Sequence, residues 1–97
     1  MRILKIMPDY YCHPIWEASP GVVGNVNPKN LPISEDLQEK FFEWAKKFDS
    51  ILDIENPRAS GFKTSDEKNE FIATGNNLAD MLRQELGESY EVICKIG

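Results

Sequence analysis

Residues 34–52 read Ser-Glu-Asp-Leu-Gln-Glu-Lys-Phe-Phe-Glu-Trp-Ala-Lys-Lys-Phe-Asp-Ser-Ile-Leu, and the spacing of their apolar members decides the fold. Leu37, Phe41, Trp44, Ala45, Phe48, Ile51 and Leu52 recur at intervals of three and four, the period of one helical face. Glu35, Glu39, Glu43, Lys46 and Asp53 fall on the opposite face. Phe42 lies outside the apolar stripe. Ser34 is a good N-cap, and Glu35 and Asp36 suit the positive end of the helix that follows. The pattern predicts a helix over 35–53, closed by Asn56-Pro57.

A second helix is predicted over 65–86. Thr64-x-x-Glu67 is a capping box, in which each side chain can satisfy a backbone donor of the other residue. Phe71, Leu78, Ala79, Leu82 and Leu86 form its stripe. Gly75 shares that face although glycine costs about 1 kcal/mol inside a helix. Its position therefore points to a close approach of the first helix. Gly87 is the natural stop.

Strand patterns occupy both ends of the chain. Residues 2–7 alternate and end at Pro8, and residues 90–96 place Tyr90, Val92, Cys94 and Ile96 on one side. Five of the six prolines fall within residues 8–33, which excludes a helix there. Ile15-Trp16 and Val22–Val26 are the strand candidates in that segment, with Ala18–Gly21 as the turn between them. Two helices with one apolar stripe each need a common surface to cover. The expected fold is a single α+β domain over residues 1–97. It has a small, mostly antiparallel sheet that includes both chain termini, with two helices packed on one face.

The formal net charge of −5 argues against nucleic-acid binding, which needs a basic surface. The negative charge is concentrated in the two helical segments. No apolar run is long enough for a membrane span, and the N-terminal stretch lacks the features of a signal peptide. Cys12 and Cys94 are then expected as reduced thiols in a cytoplasmic protein. Two cysteines and one histidine make no convincing metal site.

Little in the chain suggests catalysis. Cys12 and His13 are neighbours, and on an extended chain their side chains point to opposite sides, whereas a nucleophile needs its base facing it. The helical carboxylates lie on solvent faces, where charge serves solubility. Gly21–Gly24 has neither the lysine nor the helix of a phosphate loop. The unusual segment is Asp9–Glu17, in which aromatic rings and one imidazole crowd into a loop, the setting that favours partner binding. Alternation predicts Tyr10, Cys12 and Trp16 inside and Tyr11 and His13 outside. Phe62, after Ser60-Gly61, is expected to pack beneath its own loop.

Asp9-Tyr10 with Pro14-Ile15-Trp16, then Leu31-Pro32-Ile33-Ser34, Ser60-Gly61-Phe62 and Glu85-Leu86-Gly87, resembles a group of short bacterial proteins. In size, acidity and empty catalytic inventory the chain is also similar to the small immunity proteins of contact-dependent growth inhibition and polymorphic-toxin systems. That resemblance implies a cytoplasmic, non-enzymatic antitoxin. Such a protein needs no cofactor, and its partner is a cognate toxin, most often a basic nuclease such as an RNase. Asp9, Tyr11, His13, Glu17, Asp53 and Glu55 are the candidate partner-binding residues. The alternative is a protein-interaction module that docks through apolar surface, which salt would weaken much less than electrostatic capture.

Overall fold

The computed structural model describes residues 2–22, 24–52 and 61–96. The elements run β1 (Arg2–Ile6), β2 (Ile15–Glu17), β3 (Gly24–Val26), a 3-10 turn (Pro28–Asn30), α1 (Glu35–Asp49), α2 (Ser65–Leu86), a second 3-10 turn (Gly87–Ser89) and β4 (Tyr90–Cys94). One sheet holds all four strands in the order β3-β2-β1-β4. The β1–β2 and β2–β3 pairs are antiparallel, and β1 runs parallel to β4. The sheet is thus mixed. A parallel neighbour needs a long crossover, and the two helices lie on that path.

Sheet register explains which face is covered. Ile6 sits opposite Ile15, Ile15 opposite Val26, and Leu4 opposite Val92. All five are buried, and they form one cluster with the helical residues Leu37, Phe41, Trp44, Phe71, Leu78, Ala79, Leu82 and Leu86. Tyr90, Cys94 and Ile96 pack against the same cluster, as the alternation in the last strand predicts. The opposite sheet face is open, with Asn25 exposed and Ile3, Lys5 and Trp16 half-buried.

Gly75 is buried on α2, where a Cβ atom would meet Trp44 Cζ2 at 2.5 Å and also the tip of Ile96. The missing side chain lets the indole lie over the α2 backbone. There Trp44 Nε1 donates to Phe71 O at 3.1 Å, and its ring stacks on Phe71 at 4.6 Å. The stack continues outward: Phe48 lies 5.6 Å and Phe62 5.1 Å from Phe71. Phe48 is half-buried, not fully enclosed, because it is where the aromatic loop joins the core.

Three local readings are revised. First, α1 ends at Asp49, four residues short of the predicted end. Ile51 N donates to Phe48 O and Leu52 N to Asp49 O, the tighter i→i+3 pattern that closes a helix, and the Ser50 hydroxyl donates to Lys47 O. Second, the capping box is half-formed: Thr64 Oγ1 accepts from Glu67 N at 3.1 Å, but the Glu67 carboxylate takes the Lys63 amide at 3.2 Å. Third, Trp16 lies on the open sheet face, and its indole N–H donates to Met7 O at 2.9 Å. Ile15 points inward, so its neighbour must point outward.

Most segments that carry the family resemblance do structural work. Glu85 near the end of α2 accepts from both Ser34 N (2.6 Å) and Ser34 Oγ (2.9 Å). The Ser34 and Glu85 motifs, far apart in sequence, thereby form one clamp between the start of α1 and the end of α2.

Candidate functional site

The loop between β1 and β2 folds back against α1, and the two enclose an open cleft of about 960 Å³. Tyr10 begins the docking by stacking on Phe48 with ring centroids 4.6 Å apart. Asn25 on β3 completes it, accepting from His13 N (2.8 Å) and donating to His13 O (2.6 Å). The Asn25 amide thus satisfies the backbone N–H and C=O of His13, which lies in the loop just before β2.

Phe42 lines the cleft. His13 meets it edge-on at 6.0 Å, and Lys29 Nζ stands 5.7 Å over its ring. An aromatic residue outside the core stripe here supports a loop on one side and attracts a cation on the other. Glu35, Glu39, Glu43 and Asp49 line the same cleft, against Lys29 and Lys46, so its walls carry more negative than positive charge. Asp36 is already paired with Lys40 at 3.0 Å.

The candidate residues separate into distinct places. Tyr11 and His13 line the cleft. Tyr11 is 70% exposed, the most exposed large hydrophobic side chain among the described residues. Asp9 is exposed and does not line the cleft; its carboxylate accepts from the Tyr10 amide at 2.8 Å. Glu17 lies elsewhere, at the far end of β2 opposite Leu4. Asp53 and Glu55 lie outside the described residues. The cysteines are both free. Cys12 lines the cleft, while the Cys94 thiol on β4 is pushed up by burial and donates to Asn76 Oδ1 at 3.2 Å. No hydrogen bond joins Cys12 to His13 among the described residues.

Glu17 has a structural task. Its carboxylate accepts from Arg2 Nε at 2.6 Å and from Ser19 Oγ at 2.7 Å, and the side chain is only 10% exposed. Burial alone would raise its pKa, but the bonds from Ser19 and Arg2 outweigh that and hold it below the ordinary carboxylate value. A carboxyl lowered in the folded state contributes stability that is present above its unfolded pKa and lost as pH falls through the folded one. Glu17→Gln should therefore destabilise the chain at neutral pH and converge with the wild type in acid. Melting curves across the acid range test this; a gap that stays constant with pH contradicts it.

Sequence reasoning passed over Asp49 and Phe42. Asp49 Oδ1 accepts from the Tyr11 amide at 2.8 Å, across 38 residues of sequence. In a helix expected to run to residue 53 it gave no signal; only the observed end of α1 at Asp49 sets this acid where the macrodipole favours a base. Phe42 signalled itself by breaking the apolar phase.

No curated protein matches the chain. A family model described as Serratia CdiI immunity protein-like matches residues 2–95. That match covers nearly the whole chain, including both terminal strands, the loop and both helices, and it agrees with the resemblance drawn from the motifs. The chain belongs to the Serratia CdiI immunity protein-like family.

Proposed function

We propose that this protein is an antitoxin that binds a cognate toxin domain, a basic RNase, and covers its active site with the cleft face. The observation that carries the reading is the cleft itself, where an exposed tyrosine stands beside a helix lined with carboxylates. Glu35, Glu39 and Glu43 are four residues apart, so they form a row along α1 with Cβ atoms about 5–6 Å from one another. An RNase presents lysine and arginine to phosphates, and carboxylates offer the same cations charge-assisted hydrogen bonds. Among the described residues, no salt bridge occupies Glu35, Glu39 or Glu43. Asp9, Tyr11 and His13 complete the contact set from the loop side. Glu17 is left to its structural pair with Arg2. The chain acts by binding and performs no chemistry of its own.

Replacing Glu39 and Glu43 together with Ala is the direct test. Electrostatic steering raises association rates by about 10–1000-fold and weakens with salt. The double variant should associate at least about 10-fold more slowly with the toxin domain at low salt, and the salt dependence of the rate should flatten. Both residues are exposed, so the fold should survive. Association that is fast, salt-independent and unchanged by the substitutions would refute electrostatic capture and leave apolar docking in its place.

A further inference from the structure

Tyr11 has φ +57°, and it is the one non-glycine residue with positive φ among the described residues. A side chain in the left-handed region is strained, and such strain persists only where its surroundings enforce it. Here they do so on three sides. Tyr10 is pinned by its stack on Phe48, His13 is clamped by Asn25, and the Tyr11 amide is held by Asp49 Oδ1 at 2.8 Å. The strained conformation leaves the phenol in solvent, 70% exposed, so burial of the ring in this molecule does not account for it.

Asp49 is unfavourable in a second way. It is the last residue of α1, after Lys46 and Lys47. The negative end of the helix dipole favours those lysines and disfavours a carboxylate. Two local costs, one in the loop and one in the helix, thus meet in a single hydrogen bond.

Resting on the function proposed above, we infer that Asp49 is a positioning residue for Tyr11, and that Tyr11 is a preformed anchor on which the toxin domain closes. Tyrosine suits that role because it offers a large, rigid, amphipathic surface, and interface hot spots are enriched in it. Holding its backbone before contact removes an ordering cost that binding would otherwise bear. Toward Tyr11, Asp49 acts as an acceptor, a role that needs no charge, so asparagine should hold the Tyr11 amide as well.

The test uses the full chain and a catalytically inactivated form of its cognate toxin domain. Dissociation rate and melting temperature are read for Tyr11→Gly, Asp49→Ala, Asp49→Asn and the double variant Tyr11→Gly/Asp49→Ala. Tyr11→Gly should raise the dissociation rate by about 30-fold or more. Its melting temperature should stay at or above that of the wild type, because glycine relieves the strain. Asp49→Ala should raise the dissociation rate by about 3–10-fold, and Asp49→Asn should remain within about 2-fold of the wild type, as its side-chain oxygen still accepts. In the Tyr11→Gly background, Asp49→Ala should change nothing more, the non-additivity that marks action through a shared residue. An Asp49→Ala effect that persists there, or a Tyr11→Gly chain that dissociates at the wild-type rate or melts lower, overturns the inference. A wild-type chain that does not bind the toxin domain overturns the proposed function and this inference with it; binding equally tight by all four variants overturns the inference alone.

Discussion

Phe71→Ala is expected to cost about 3–5 kcal/mol of folding stability, the range for removing a buried aromatic ring from a packed core. Phe71 is 2% exposed. It is also the member of the aromatic stack that touches the most others, with Trp44, Phe48 and Phe62 all against it. Its removal would leave a cavity walled by three flat rings. Trp44 is tied to the α2 backbone through Nε1 and cannot swing in to fill the space without losing that bond. Domains of this size melt roughly 4–8 °C lower for each kcal/mol lost, so the variant should melt well below the wild type or fail to fold at 37 °C. Phe42→Ala makes the contrast, since that ring is half-buried in the cleft and should cost much less. Urea or thermal unfolding of both variants measures the difference. A Phe71 loss below about 1 kcal/mol would mean that the aromatic stack is not part of the cooperative core.

The stack also links stability to function. Tyr10 rests on Phe48, and Phe48 rests on Phe71. The loop that presents Tyr11 is therefore seated on the core through two rings.

The helices and terminal strands were readable because their signals are local and repeat. Leu37, Phe41 and Trp44 declare one face by spacing alone, and Gly75 declares a close approach because glycine is otherwise costly there. The loop was harder, for a physical reason. Alternation from Tyr10 to Trp16 holds only while the chain stays extended, and the left-handed turn at Tyr11 breaks the phase. Counting from Ile15, which the register turns inward, would have placed Trp16 outside and Glu17 inside. The end of α1 was misplaced because Ile51 and Leu52 continue the apolar period although their backbone bonds tighten into a closing turn. Asp49 was invisible as a positioning residue since its partner lies in a distant segment, and no pattern within a helix reports such a bond. Phe42 could be seen to be out of phase, but the rings and cation that explain it come from the loop and from Lys29.

Neutralisation in living cells is the most direct test of the proposed antitoxin function. At about micromolar antitoxin, a complex with a dissociation constant of about 1 nM leaves roughly one toxin molecule in a thousand free, so protection should be nearly complete. The cognate toxin domain is expressed alone, with the wild-type chain, and with the chain carrying Tyr11→Gly and the Glu39→Ala and Glu43→Ala substitutions together. Growth should arrest with the toxin alone, resume with the wild-type chain, and arrest again with the variant at equal abundance. A toxin that still kills in the presence of the folded wild-type chain, or a variant that protects as well as the wild type, would contradict the proposed function.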